Sequence, residues 1–149
     1  LKHRIGVSVN GESARYKELK EDKMYIPEDW KDIPCTMEHL NGKDWQSVLK
    51  EYSEYGNRLY HKCLEDITPV LGRKRAKESA RFFKTYNSQI QSDVMLNMRS
   101  FANFLKLRRN SSAQIEINEI ADKMLTLVKD IKGEPFKYTL EAFKLKNII

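Results

Sequence analysis

The strongest constraint on this chain is a set of apolar residues at helical spacing. Trp45, Val48, Leu49, Tyr52, Leu59 and Cys63 fall into one stripe, which predicts a long amphipathic helix over residues 44–66. Thr68-Pro69 and Gly72 interrupt the pattern, and a second helix is expected over residues 73–83.

Elsewhere the period changes. Over residues 4–10, Ile5, Val7 and Val9 alternate with Gly6 and Ser8, as in a half-buried strand. Residues 88–96 repeat that spacing through Ile90, Val94 and Leu96, and lead into Asn97, a residue suited to capping a helix. The next helix, 98–109, should bury Met98, Phe101, Ala102 and Leu105. Ser111 with Gln114 matches a capping box and opens a helix through Ile117, Ile120, Ala121, Met124, Val128 and Ile131, ended by Gly133 and Pro135. A short terminal helix is expected over 138–146. No internal repeat is present. The elements predict an α+β chain in which strands pack with long amphipathic helices.

At 149 residues the chain has the size of one domain, so 1–149 is read as a single unit. With 40% hydrophobic and 32% charged residues, its composition is that of a folded protein rather than a disordered one. No apolar run approaches the ~20 residues that a membrane helix needs, and the opening LKHRIGVSVNGES lacks the features of a secretory signal. A cytoplasmic protein with no membrane partner is expected. Cys35 and Cys63 have no CxxC or Cys/His company, so they read as ordinary thiols and no metal site is expected.

Lys and Arg number 27 against 21 Asp and Glu, a net charge of +6. This excess favours an anionic partner without choosing among nucleic acid, acidic lipid and phosphorylated small molecules. Arg73, Lys74, Arg75 and Lys77 read as a solvated helix face. Three other places combine cations with polar side chains outside the apolar stripes. These are Lys2-His3-Arg4 with Ser13 and Arg15, then Arg81, then Asn97, Arg99, Asn103 and Arg108. Guanidinium forks and helix starts both suit phosphate oxygens, although the same residues serve equally as surface ion pairs.

The order of these residues carries a resemblance. KHRIGVSVNGESARY, residues 2–16, resembles the signature of flavin-dependent thymidylate synthases (ThyX), in which a basic triplet precedes a segment matched here by Ser8, Asn10, Ser13, Arg15 and Tyr16. NMRSFANFLKLRRNSSAQIEI, residues 97–117, is similar to the second block of that family, and Ala80-Arg81 matches between the two. The resemblance implies a ThyX-like fold assembled as a homotetramer whose active sites combine residues from several subunits. It implies methyl transfer in nucleotide biosynthesis: reductive methylation of dUMP to dTMP, with methylenetetrahydrofolate as carbon donor and NADPH-reduced FAD as hydride source. No protein cysteine attacks the base in such enzymes, and no nucleic acid partner is implied.

By motif match, Arg108 is the catalytic residue, lying over the uracil and helping to ionise its N3. Arg15 and Arg81 match nucleotide-binding positions, and Lys2 with the loop Gly11, Glu12, Ser13 and Ala14 completes the dUMP set. Ser13 is assigned hydrogen bonding rather than nucleophilic attack. Lys2, His3, Arg4, Asn97, Arg99 and Asn103 match FAD contacts. The aromatic residues Trp45, Tyr52, Phe101 and Phe104 are assigned to core or subunit interface.

The chain departs from the pattern in places. Lys2 replaces the first arginine of the triplet, and the spacing from Arg4 to Ser13 is one residue longer than usual, accommodated as a bulge near Gly6. Gly11 falls where an acidic residue is common, and Lys84-Thr85 stands where many relatives have Leu-Pro. The chain starts at the motif, so the segment that precedes it in relatives is expected to be missing. Three alternatives stay open: a relative that installs another C5 group such as hydroxymethyl, a basic nucleic-acid-binding module, and a non-catalytic paralogue.

Overall fold

The computed structural model describes residues 6–13 and 17–149. Its contacts divide the chain into two compact units, one formed by the chain up to Asn10 with Asp93–Ile149, the other by Gly11–Ser92. Where one domain is expected, the apolar residues segregate into two clusters, one in each unit.

In the first unit, strand β1 (Val7–Gly11) pairs with β2 (Ser92–Leu96) in a two-stranded sheet, with the terminal residues Gly11 and Ser92 assigned to the second unit. The expected alternation places Val7 half-buried, but Val9 is exposed, so the strand has no covered face of its own. β2 starts later than expected. Ser88 N–H donates to Thr85 O at 3.0 Å and Gln89 N–H to Lys23 O at 2.9 Å, which commits the preceding residues to a turn and an isolated bridge.

Asn97 caps α2 (Met98–Arg108) as expected: its Oδ1 accepts from Ser100 N–H at 2.8 Å. Phe101, Phe104 and Leu105 pack with Ala121 and Leu125 of α3 (Ile115–Lys129) and Phe143 of α4 (Lys137–Leu145), while Met98 and Ala102 lie half-buried beside them. The expected capping box is not made. Gln114, not Ser111, occupies the N-cap of α3, and it makes no side-chain cap bond. Asn110 takes over the turn instead, accepting from Ser112 N–H at 3.0 Å and from the Ser112 hydroxyl at 2.6 Å.

The second unit is built on α1 (Trp45–Ala80), capped by Asp44, which accepts from Ser47 N–H at 2.7 Å. The helix runs through Thr68-Pro69 and breaks only at Gly72, whose φ of 76° and ψ of 152° leave the helical region. Pro69 stands two residues before the last helical residue ahead of that break, so the hydrogen bond it removes is close to a helix end. A 3-10 turn, Arg81–Phe83, follows α1.

The buried face of α1 differs from the apolar stripe. Ser53, Gly56, Asn57, Tyr60 and Leu64 are covered, a set rotated by one position from Tyr52, Leu59 and Cys63, and Tyr52 is 63% exposed. The cause is close backbone approach. A Cβ at Gly56 would lie 2.6 Å from Phe83 O, and Ser53, Asn57 and Tyr60 each bond to residues 19–25 or 84–87. Small and hydrogen-bonding residues are required where main chain packs on a helix. Among the described residues no helix is long and apolar enough to cross a membrane.

Candidate functional site

Lys2, His3, Arg4, Ala14 and Arg15 lie outside the described residues. The remaining expected site residues divide between the two units.

In the Gly11–Ser92 unit, β1 ends where the loop begins. Glu12 N–H donates to Gln91 O at 2.8 Å, and Glu12 Oε2 accepts from Gln91 N–H at 3.3 Å. Its other carboxylate oxygen pairs with the Lys17 ammonium. The Lys17 hydrogen bond, helped by Gln91 N–H, holds the Glu12 carboxyl below its ordinary pKa, and the same pairing raises that of Lys17. A carboxylate so stabilised is a poor proton acceptor for the neighbouring Ser13 hydroxyl. Ser13 is half-buried, and its carbonyl accepts from Lys17 N–H at 2.9 Å, which closes the loop. Gly11 lies against Ser92, where a Cβ would meet Ser92 Oγ at 3.0 Å. Arg81 opens the 3-10 turn after α1, exposed, with its Nε–H donating to Glu78 O at 3.2 Å.

Below this loop lies a polar cluster that sequence reasoning missed. The Lys84 side chain is only 7% exposed. Its Nζ donates to Asp22 Oδ1 at 2.5 Å and to Asn57 Oδ1 at 2.8 Å, and lies 4.5 Å from the centre of the Tyr60 ring. His61 Nε2 meets both Asp22 oxygens, at 2.9 and 3.0 Å. Burial pushes the Asp22 pKa up, but the hydrogen bonds from Lys84 and His61 more than offset this and leave it lowered. Burial also raises the Tyr60 phenol, whose oxygen accepts from Leu19 N–H at 3.1 Å. Asp22 stands 62 residues and Asn57 27 residues from Lys84, and His61 stands 39 from Asp22, beyond any local pattern. A cavity of about 850 Å³ opens here, bordered by Glu12, Lys17, Asp22, Arg73, Lys84 and Gln91 among others. Its volume is that of a small-molecule site.

In the other unit, α2 carries the second group. Asn97 has its Oδ1 engaged as a cap, while its amide nitrogen lies beside Gly6, where a Cβ would come within 2.0 Å of it. Gly6 has φ 76° and accepts from Asn97 N–H at 3.1 Å. Arg99 is exposed on the first turn, and Asn103 follows one turn later on the same face, half-buried. Arg108 is exposed on the last turn. Nine residues at about 100° each carry it to the far side of the helix from Arg99, about 180° round. Neither arginine has an ion-pair partner among the described residues. A capped helix start with an exposed guanidinium suits an anionic group such as a diphosphate. Among the described residues no group of three or more His, Cys, Asp or Glu is placed to hold a metal ion. Cys35 is buried and Cys63 half-buried, both as free thiols.

The sequence profile described as "thymidylate synthase complementing protein" matches residues 1–132, which takes in both motif blocks and every expected site residue. The chain belongs to the flavin-dependent thymidylate synthase family. The flavin-dependent thymidylate synthase of Thermosipho melanesiensis is 36% identical over 151 aligned residues, covering 96% of this chain and 60% of that protein. That of Pseudothermotoga lettingae is also 36% identical, covering 99% of this chain and 65% of its own length. The chain thus spans about three-fifths of the length of these family members. Among solved structures, the Helicobacter pylori ThyX crystallised with FAD and dUMP superposes with a TM-score of 0.48 at 21% identity, covering 82% of this chain and 56% of that one.

Proposed function

We propose that this protein carries out flavin-dependent thymidylate synthesis, the reductive methylation of dUMP to dTMP with methylenetetrahydrofolate as carbon donor and NADPH-reduced FAD as hydride source. The observation that carries this reading is the family match over residues 1–132, which contains the two motif blocks in order. The exposed Arg108 and the capped start of α2 beside Arg99 add support from local geometry.

Arg108 is the catalytic residue of this reading. An exposed guanidinium on a rigid helix, with no carboxylate partner among the described residues, can be fixed over a uracil ring, where it favours the ionised N3 and so activates the base. Arg81 and Arg15, with Lys2, hold the nucleotide phosphate as a dianion, and Gly11, Glu12, Ser13 and Ala14 wrap the nucleotide. Ser13 donates a hydrogen bond rather than attacking, because its neighbour Glu12 is already neutralised by Lys17. Among the described residues neither thiol is hydrogen-bonded to a base that would activate it.

Lys2, His3, Arg4, Asn97, Arg99 and Asn103 hold FAD, which when bound supplies the hydride. The cap bond restricts Asn97 to donating from its amide nitrogen. Arg99 offers charge to the diphosphate at a helix start. The opposed placement of Arg99 and Arg108 on α2 favours active sites shared between subunits of a homotetramer, since one copy of the helix turns its flavin-facing and pyrimidine-facing residues apart. The exposed rings of Tyr52 and Tyr55 on α1 suit a subunit interface.

The test is direct. The intact protein is expected to show flavin absorption and to form dTMP from dUMP when given NADPH and methylenetetrahydrofolate. Arg108→Ala is expected to keep its flavin and to lose roughly 10²–10³ in kcat, the scale of one charge-stabilising donor. Normal turnover by that variant overturns the role of Arg108, and a colourless protein that makes no dTMP overturns the reading as a whole.

A further inference from the structure

The buried ammonium of Lys84 has no part in the reading above, yet it is the most constrained cation among the described residues of its unit. Burying a charge is costly unless it is paired and its donors are satisfied. Here Asp22 Oδ1, Asn57 Oδ1 and the face of the Tyr60 ring all engage Lys84 Nζ. Such a fully engaged ammonium holds one geometry, in contrast to the solvated lysines around it.

What Lys84 joins matters more than its burial. Its backbone N–H donates to Arg81 O at 3.1 Å, closing the turn that carries Arg81. Its side chain grips Asp22, whose φ of 36° is left-handed and whose backbone O accepts from Asn57 Nδ2 at 3.4 Å. From Asp22 the chain runs back through Leu19, anchored on the Tyr60 hydroxyl, to Lys17, which bonds Glu12 and Ser13 O. Two segments far apart in sequence, the loop carrying Ser13 and the turn carrying Arg81, are thereby tied through one ion pair.

We propose that Lys84 is a positioning residue for the nucleotide site: its ion pair with Asp22, braced by Asn57, Tyr60 and His61, fixes the spacing between the Gly11–Ser13 loop and Arg81. This rests on the nucleotide reading given under the proposed function. Phosphate recognition by separate cations depends strongly on their spacing, so loosening the pair costs nucleotide binding before it costs chemistry. The flavin-contacting residues Asn97, Arg99 and Asn103 belong to the other unit and keep their own supports.

The experiment compares wild type, Lys84→Met and Asp22→Asn in the intact protein. Lys84→Met keeps the length of the side chain and removes its charge; Asp22→Asn keeps shape and removes the other charge, and so serves if the first variant folds poorly. For either variant the expected result is a KM and a Kd for dUMP raised about tenfold, with kcat at saturating dUMP within about twofold of wild type and flavin content unchanged. The double variant is expected to be no weaker than the worse single one, because both changes open the same pair. Amide hydrogen exchange at Leu19 and Gln89, whose N–H groups bond Tyr60 Oη and Lys23 O, is expected to speed up. Unchanged dUMP affinity in both variants, beside a wild type that binds dUMP, overturns the role of Lys84 alone. A wild type that does not bind dUMP overturns the nucleotide reading and this proposal with it.

Discussion

Asp22 concentrates the residue-scale physics of this protein. It sits in left-handed backbone, half-buried, with two cationic or potentially cationic partners on one carboxylate. Burial favours its protonated form, but the hydrogen bonds from Lys84 and His61 favour the ionised form more, and its pKa falls below the ordinary carboxylate value. A lowered folded-state pKa means that the unfolded chain binds the proton more tightly. The stability that Asp22 contributes is therefore complete above the unfolded carboxylate pKa and lost as pH falls through the lower, folded one. Asp22→Asn is expected to be less stable than wild type at neutral pH, with the difference shrinking as the solution is acidified through the carboxylate range. Urea denaturation at a series of pH values checks this, and a gap that stays constant into acid counts against the pairing. None of this was legible in the sequence, because Asp22 and Lys84 stand 62 residues apart and neither belongs to a periodic stripe. The same holds for Gly56, which reads as an indifferent residue inside a helical pattern until Phe83 O is found where its Cβ would be.

At the scale of elements, signals that close within a few residues were legible and signals that compete were not. Asn97 was identifiable as a cap because its bond reaches only to Ser100. The Ser111–Gln114 box failed because Asn110, one position earlier, offers the backbone a turn of its own. The long helix was legible in its existence, but its buried face lies one position round from the apolar stripe, since close main-chain contact outweighed hydrophobicity. Thr68-Pro69 and Gly72 read as equivalent breakers, yet only Gly72 leaves the helix. A Cβ at Gly72 meets nothing within 4 Å, so any cost of replacing it is backbone strain alone. Gly72→Ala is expected to destabilise the unit by about 1–3 kcal/mol, read as a lower midpoint in thermal or urea denaturation. Unaltered stability would mean that the break adjusts to a helical conformation at this position, straightening α1.

At the scale of the whole molecule, what the sequence carried was the order of two motif blocks with Arg81 between them, and the family match over residues 1–132 bears that out. Whether the expected site residues come from one chain or from several is not written in their order, because one chain shows only which face of a helix each residue takes. Arg99 and Asn103 share a face of α2, and Arg108 takes the opposite one. If active sites draw Arg99 from one subunit and Arg108 from another, two inactive variants can repair each other. Arg99→Ala subunits keep an intact Arg108, and Arg108→Ala subunits keep an intact Arg99. When the two are co-assembled in equal amounts, a site is whole with a chance of one half for each residue, so about one quarter of wild-type dTMP formation is expected. Either variant alone is expected to stay inactive, and the recovered activity should track the fraction of mixed assemblies seen by native mass spectrometry. Sites built from a single α2 give no recovery at any mixing ratio, because every such site would carry one of the two lesions; that outcome would remove the case for sharing and require α2 to serve flavin and pyrimidine from both its sides at once.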